Sequence, residues 1–422
     1  MKQTDMKKIV VINHTFVMEK SRKRWKLLAQ SHPDMDVTLI CPDKWIRRSF
    51  AFDEEFVGRR DEEGNFHVVP VRIETKDYVS WTSEEMVHLI RNMSPDLVYH
   101  VGSHLQPSLK QCLNLVGKKM PNTKMVTFSM RGPNNDILYK GKTSLIKRLG
   151  RIVLFTPKVY LVNKYSDAVI CHYPDAMASF RKEGYKKPIY MCTQVGVDHD
   201  LFFPDENKRR LIRDKYQLGD SYVFGSAVRF DPRKGLDDII NALPIEGNWK
   251  CLIMGRGTEE QNEYVRQRVK ERKLEDKIIL TGYVERTDMP SYWNAVDCAI
   301  HTPRTGTWTE TFSLTLVEAM ITGLPVIGST SGSVPYQLGP EGIIVEEQNV
   351  AALHDKIVWV LENRDEAKII GNKMRMRAEQ CFEIRHLNEC LYHIFIDIMN
   401  EVYDKNKIDM SEYLVNNFQQ KD

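Results

Sequence analysis

The stretch Glu310-Thr311-Phe312-Ser313-Leu314-Thr315-Leu316-Val317-Glu318-Ala319-Met320, running on through Gly323-Leu324-Pro325-Val326-Ile327-Gly328-Ser329, decides how the rest of the chain is read. Its apolar spacing predicts a helix near 311–322 that leads at once into a buried strand at 325–329. One carboxylate, Glu310, stands just before the helix and a second, Glu318, lies within it. A helix N-terminus presents unpaired backbone N–H groups and a partial positive charge, which suits a phosphate. Carboxylates have the opposite task and accept hydrogen bonds from hydroxyls. Eight positions along a helix rise ~12 Å, so these two glutamates cannot share a proton. They are spaced for the two ends of one extended ligand, with hydroxyls at both ends and phosphates between, and a nucleotide-diphosphate sugar has that shape. A pair of glutamates at this spacing is commonplace by itself. The order strand, Pro303, Gly306, Glu310, helix, Gly323, Pro325, strand is what gives it weight.

Working outward, short apolar strands alternate with helical patterns in two series. The first series is expected at 8–13, 37–41, 66–73, 96–101, 124–129, 168–172 and 189–193, with helices such as 19–30, 83–92 and 107–117 between them. The second is expected at 222–228, 250–255, 277–282, 298–302, 325–329 and 342–345, with helices near 236–243, 259–273, 288–295, 311–322 and 350–362. Continuous apolar strands separated by helices predict parallel sheets covered on both faces, hence two doubly wound α/β domains. The boundary is expected within 198–220, where Pro204, the charged run Asn207-Lys208-Arg209-Arg210 and Gly219-Asp220 precede the next strand. The expected division is 1–204, 205–383 and a C-terminal helix with a polar tail at 384–422. Leu387, Leu391, Ile394, Phe395 and Ile398 form that helix's apolar stripe. Ligands of such sheets bind beyond the carboxyl ends of the strands, so two domains facing each other are expected to enclose a cleft.

The 422 residues are too many for one ordinary core. Lysine and arginine, 60 together, nearly balance 57 aspartates and glutamates, and a net charge of +3 does not describe a nucleic-acid binder. Met1 to Lys8 lead into a short apolar run that reads as a first strand and not as a leader, and no run reaches the ~20 apolar residues of a membrane helix. The eight cysteines, such as Cys171 in Ala168-Val169-Ile170-Cys171, lack metal-ligand spacing; they read as buried thiols in a reducing, cytoplasmic setting.

Three further loops follow strands of the second series. In Val228-Arg229-Phe230-Asp231-Pro232-Arg233-Lys234-Gly235, Arg229 and Lys234 can converge on one anion, arginine as a fork and lysine as a point charge. Alone this would read as a solvated basic turn; its place after a strand in the domain of Glu310 favours the anion site. Gly255-Arg256-Gly257 permits close backbone approach to a ligand, and a tight strand-to-helix turn explains it equally well. Gly282-Tyr283-Val284 offers backbone groups to a nucleobase edge with Tyr283 or Arg256 against the ring, or else simple turn packing. The loop Ser329-Thr330-Ser331-Gly332-Ser333-Val334-Pro335 is expected to close over the site.

These motifs resemble the nucleotide-binding domain of retaining GT-B glycosyltransferases, most closely family 4. That family's E-x-F-G-x-x-x-x-E-A-M-x-x-G-x-P-V-I setting reads here ETFSLTLVEAMITGLPVIGS. Arg229 and Lys234 match its phosphate-binding pair, and Val195-Gly196-Val197-Asp198-His199-Asp200-Leu201-Phe202-Phe203-Pro204 resembles its interdomain stretch. The segment from Cys381-Phe382 resembles the helix that crosses back to the first domain; the specific likeness covers roughly residues 190–400. The resemblance implies that Arg229 and Lys234 bind the donor diphosphate, Glu310 contacts the transferred sugar and Glu318 accepts from the ribose hydroxyls. It further implies that backbone N–H groups of Phe312, Ser313 and Leu314 complete the phosphate site. The implied reaction moves a hexose with retention, without metal or other cofactor, from a UDP-linked donor ahead of a GDP-linked one. The acceptor would be a saccharide, a glycolipid or a small molecule. Three departures stand out: Ser313 replaces the usual glycine, Asn13-His14-Thr15-Phe16 replaces a glycine-rich loop, and Thr127-Phe128-Ser129-Met130-Arg131-Gly132 lacks the usual histidine. Two other readings share the motifs: an epimerase or hydrolase of nucleotide sugars, and a non-catalytic scaffold, which would be expected to lose Glu310, Lys234 or Arg229.

On the acceptor side, residues beyond strand ends of the first series are candidates, chiefly Asn13, His14, His104 and Arg131; hydrogen-bonded loop side chains are the plainer alternative for each. The stretch 140–164 holds Lys140, Lys142, Lys147, Arg148, Arg151, Lys158 and Lys164 with no acidic residue. A helix at 143–155 would put Leu145, Ile146, Leu149, Ile152 and Val153 on one face. It would either pack as an ordinary amphipathic helix, the preferred reading, or touch anionic lipid at a membrane face.

Overall fold

The computed structural model describes residues 6–48, 53–78, 80–102, 106–129, 145–306 and 309–402. It divides into two compact units, one of Met1–Gln194 with Arg385–Asp422 and one of Val195–Ile384. The division falls ahead of the segment from which the sequence placed it. Val197 explains why: its N–H donates to the Phe382 carbonyl at 2.9 Å and its carbonyl accepts from Ile384 N–H at 3.0 Å, while Phe202 is fully buried in the second core. The 195–204 stretch is therefore sealed into the second unit by backbone pairing with residues nearly two hundred positions away.

The first unit is built on eight strands in the spatial order Ile189–Met191, Ala168–Cys171, Lys124–Ser129, Leu97–Val101, Lys7–Ile12, Met35–Pro42, Phe66–Val71 and Asp61–Glu63. Pairing is parallel except at the Asp61–Glu63 edge. Ile9, Val10, Val11 and Ile12 are all fully buried, as a strand covered on both faces requires. The seven strands expected from the apolar runs are present. The antiparallel hairpin of Lys44–Arg48 and Asp53–Val57 was not foreseen, because Asp-Glu-Glu-Phe-Val carries little apolar signal and its pairing is a matter of register.

Ile384–Asn400 closes this unit with its expected stripe buried, Leu387 to Ile398. Arg24, itself buried, is held there from three sides: its Nε donates to Asn388 Oδ1 at 2.9 Å, its Nη1 to the Thr193 carbonyl at 2.6 Å, and Asn388 Nδ2 returns a bond to the Arg24 carbonyl at 3.0 Å. The basic stretch forms the helix Leu145–Tyr165, which runs ten residues beyond the expected end, through Pro157 and on to the buried Val159 and Val162. Val153, assigned from the sequence to the apolar face, is 72% exposed. Lys140 and Lys142 lie outside the described residues. All eight cysteines are free thiols and seven are buried.

The second unit has six parallel strands in the order Ile278–Gly282, Trp249–Met254, Tyr222–Ala227, Cys298–His301, Val326–Ser329 and Ile343–Val345. Each lies within a residue or so of its expected place. The helix Leu314–Ile321 buries Leu316, Val317, Ala319, Met320 and Ile321, each large apolar side chain contributing roughly 1.5–3 kcal/mol. It is shorter than expected at its start because Ser313 is extended and acts as its N-cap.

Candidate functional site

In the second sheet the chain starts in the middle, adds strands to one side, then crosses to the other. Its topological switch lies between Tyr222–Ala227 and Cys298–His301, beyond whose carboxyl ends open sheets hold ligands. Arg229 and Lys234 follow the first of these strands, and the chain leading to Glu310 follows the second.

Asp231 shapes the first loop. Its carboxylate accepts from the Arg233 backbone N–H at 3.0 Å and from the Arg233 Nε at 2.9 and 3.0 Å, which holds the Asp231 carboxyl below its usual range. The resulting turn Pro232–Lys234 presents Lys234, whose Nζ donates to Glu310 Oε2 at 2.5 Å. Glu310 is only 4% exposed. Burial raises its carboxyl above the ordinary value, and the charges of Lys234, Arg229 and Arg233 oppose that rise. Of the three residues predicted to act together, Lys234 contacts Glu310 directly and Arg229 acts on it through its charge. Arg233 joins them as a cation that sequence reasoning passed over.

Glu310 is fixed through its backbone as well. Its carbonyl accepts from Ser333 N–H at 2.8 Å. Next to it Gly332 sits at φ +53, and a Cβ there would fall 2.0 Å from the Glu310 carbonyl oxygen, so only glycine fits. The loop after Val326–Ser329, expected to close over a ligand, is a buttress for Glu310.

Ser313 and Gln337 form a matched pair. Ser313 N–H donates to Gln337 Oε1 at 2.8 Å, Gln337 Nε2 donates to the Ser313 carbonyl at 2.9 Å, and Ser333 Oγ donates to the same Oε1 at 3.0 Å. This corrects one expectation: the Ser313 N–H is already spent on a buried carboxamide and is not offered to a phosphate. Ser313 has φ −103 and ψ 111, a conformation open to any residue, so its side chain carries no backbone strain. The Phe312 ring packs edge-on against Phe382 at 5.6 Å, and Leu314 opens the helix. Glu318 is 3% exposed, with a guanidinium nitrogen of Arg286 at 3.9 Å from its Oε1. Burial lifts its pKa to about 7, with Arg286 opposing.

The glycine loop resolves toward its plainer reading. Gly255 has φ +148, donates to the Gly282 carbonyl at 2.9 Å, and would place a Cβ 1.9 Å from the Val228 carbonyl oxygen. Close packing of strand ends thus requires this glycine. The Gly257 N–H donates to Asn262 Oδ1 and the Thr258 N–H to Gln261 Oε1, both at 2.9 Å, so these amides serve the following helix. Arg256 does lie over the Tyr283 ring, 5.3 Å from its centroid, and Tyr283 is 56% exposed. Val284 packs against the apolar core.

His301 was missed by sequence reasoning. It ends the apolar strand Cys298–His301, and a polar residue closing such a run is the signal that could have found it. It is 5% exposed, and burial together with Lys234 depresses its pKa to about 3, leaving the ring neutral. Its Nε2 stands 3.9 Å from Glu310 Oε2 and has no hydrogen-bond partner.

The switch of the first sheet lies between Lys7–Ile12 and Leu97–Val101, with Ile12 in register with His100. Asn13 Oδ1 accepts from Thr15 N–H at 2.9 Å, so this candidate caps the short turn after the strand. His14 lies against Trp45, ring centroids 4.5 Å apart, and burial lowers its pKa to about 4. His100, not singled out from the sequence, bonds Ser108 Oγ through Nε2 at 3.0 Å, and burial lowers its pKa to about 3. His104 and Arg131 lie outside the described residues. Among the described residues no three histidine, cysteine or acidic side chains group to hold a metal ion, and no helix is long and apolar enough to cross a membrane.

Comparison with known proteins bears on this geometry. Residues 208–377 match the family model described as glycosyl transferases group 1. The GDP-mannose-dependent alpha-(1-6)-phosphatidylinositol monomannoside mannosyltransferase of Mycobacterium tuberculosis (strain ATCC 25618 / H37Rv) is 30% identical over 186 residues, covering 42% of this chain and 48% of that protein. The match thus spans about half the length of this relative. Among solved structures, sucrose-phosphate synthase from Thermosynechococcus elongatus superposes with a TM-score of 0.69 at 17% identity, over 94% of this chain and 100% of that one. Anabaena HepE in complex with UDP and glucose does so with a TM-score of 0.66 at 17% identity, over 93% and 100%. At such identities the likeness is one of fold. The chain has the GT-B fold of two Rossmann-like α/β domains, and the likeness to the glycosyl transferases group 1 family lies in its residues 208–377.

Proposed function

We propose that this protein transfers a hexose from a nucleotide-diphosphate sugar to a hydroxyl of a saccharide, glycolipid or small-molecule acceptor, with retention of configuration and without a metal. The observation that carries the reading is the buried Glu310 carboxylate bonded by Lys234, with the charges of Arg229 and Arg233 acting on it, at a topological switch inside the segment 208–377. Bond breaking at the anomeric carbon sends negative charge onto the leaving diphosphate, and fixed cations aimed at that charge stabilise it where it develops. Arg229 and Lys234 fill that role, with the first turn of Leu314–Ile321 adding its dipole. Glu310 receives hydroxyls of the transferred sugar, and Glu318 receives the ribose hydroxyls. Arg256 and Tyr283 form the platform for the base. The acceptor oxygen attacks from the leaving-group side and its proton passes to the departing phosphate oxygen, which yields the retained anomer.

GDP-mannose is the first donor to test. The relative that is 30% identical over 186 residues is described as GDP-mannose-dependent, which moves that donor ahead of the UDP-linked one favoured by the motifs alone. A thermal-shift series with GDP-mannose and UDP-glucose reads donor choice by mass action. Proton NMR of the product with an acceptor panel, repeated in EDTA, reads anomeric configuration and metal dependence. Donor stabilisation and a retained product are expected. A donor that neither stabilises the fold nor turns over would sink the reading.

A further inference from the structure

His301 is the feature of this site that the proposed reaction leaves unused. A buried ring nitrogen without a partner costs free energy unless some state of the protein employs it. His301 Nε2 is such an atom, and the nearest acceptor recorded for it is Glu310 Oε2 at 3.9 Å, about 1 Å beyond a hydrogen bond. The same oxygen is held by Lys234 at 2.5 Å.

The proposed donor makes conflicting demands on Lys234. A diphosphate arriving at Arg229 and Lys234 attracts the ammonium away from Glu310. It also sets new negative charge beside a carboxylate that is 4% exposed. A buried carboxylate stripped of its partner is strongly destabilising. Arg229 and Arg233 already supply charge near Glu310, and a neutral donor can take over the hydrogen bond to Oε2 without adding a further cation.

Resting on the donor-site reading above, we propose that His301 is a positioning residue that exchanges with Lys234. When the donor's diphosphate draws Lys234 off Glu310, the His301 Nε2–H closes on the freed Oε2 and keeps the carboxylate aimed at the sugar. Its neutrality fits the task, because burial and Lys234 keep the ring unprotonated at physiological pH. The exchange gives the idle imidazole nitrogen a use through a motion of about 1 Å.

The test uses GDP-mannose and UDP-glucose as probes, with calorimetric Kd values for wild type, His301→Leu and His301→Gln, each alone and combined with Glu310→Gln. His301→Leu is expected to weaken the bound donor roughly ten- to hundredfold, the loss of a hydrogen bond to a charged group. His301→Gln, whose amide N–H reaches to a similar distance, recovers most of that loss. In the Glu310→Gln background His301→Leu should cost less than about threefold, because no carboxylate remains to be satisfied. Should His301→Leu not fold, ¹⁵N-histidine-labelled wild type gives the same answer, since the His301 Nε2–H proton is expected to move downfield on donor binding. Equal affinities for wild type and His301→Leu, an undiminished loss in the Glu310→Gln background, or an unmoved Nε2–H resonance in protein that binds donor would each overturn the exchange. If neither probe binds wild type, the donor-site reading itself falls and the exchange falls with it.

Discussion

The two sheets of this protein each have a topological switch, and the two switches are furnished with opposite chemistry. In the second unit the switch between Tyr222–Ala227 and Cys298–His301 gathers charge: Lys234 bonded to a buried Glu310, with Arg229 and Arg233 acting on the same carboxylate. In the first unit the switch between Lys7–Ile12 and Leu97–Val101 gathers neutral rings: His14 on Trp45, and His100 bonded to Ser108. Both are crevices beyond strand ends, so topology alone does not distinguish them. What differs is the cost of the side chains placed there. A buried carboxylate persists only when paired, and cations beside it give the crevice a chemistry suited to anions. Neutral imidazoles and an indole are surfaces on which an uncharged, hydroxylated ring can lie. The first arrangement suits a donor diphosphate, and the second suits the acceptor side of the proposed reaction.

The largest way to break this contrast is Lys234→Ala, expected to lower kcat by about 100- to 1,000-fold, the loss of one fixed donor to the leaving group. His14→Ala in the same assay should leave donor Kd within about threefold, since it touches none of the donor's charges. Comparable donor-affinity losses in the two variants would erase the distinction between the switches.

A second test reads the sign of the pH response. The Glu318 carboxyl is raised to about 7, so the folded state keeps its proton longer than the unfolded chain does. Its stabilising effect is fully present below the unfolded value and is lost as pH rises through about 7. Glu318→Gln should therefore be more stable than wild type at pH 8 by up to roughly 3 kcal/mol, and nearly equal to it near pH 4.5, by urea denaturation. Under the proposed reaction donor affinity follows the opposite course, falling in wild type as pH drops below about 7, because the carboxylate proposed to receive the ribose hydroxyls is then protonated. An identical stability profile for variant and wild type would show that Glu318 is not a strained carboxylate.

The neutral switch has the reverse slope. His100 is depressed to about 3, so its contribution is present above the unfolded value and is lost as pH falls toward the folded one. Between pH 7 and pH 5 it should cost wild type about 2 kcal/mol that a His100→Gln variant does not lose. Opposite signs for Glu318 and His100 sharpen the comparison, and a shared sign breaks it. The smallest effect is Arg256→Ala, which removes the cation over Tyr283 and should weaken donor binding about three- to fivefold, read by calorimetry.

Much of the charged switch was legible because its residues are marked locally. Arg229, Lys234 and Glu310 each stand at or near a strand end or helix start, Glu318 lies within that helix, and those boundaries follow from apolar periodicity over a few residues. What was not legible are partners brought in from afar. Gln337 occupies the Ser313 N–H from 24 positions away, Gly332 makes room for the Glu310 carbonyl, and Arg286 faces Glu318 from another loop. None has a local signature. The glycines of Gly255-Arg256-Gly257 show the converse: a local pattern that resembles a ligand loop and that tertiary packing uses to let strand ends approach.

By itself the sequence determined the strand and helix alternation, the two-sheet architecture and the identity of the principal charged residues, because each depends on short-range periodicity and on the chemistry of single side chains. Only the tertiary structure decided that Lys234 rests on Glu310, that His301 lies idle beside them, and that the 195–204 stretch joins the second unit. Those are long-range contacts. Their strength comes from burial, which removes water from charged and polar groups and makes a distance of an ångström decisive.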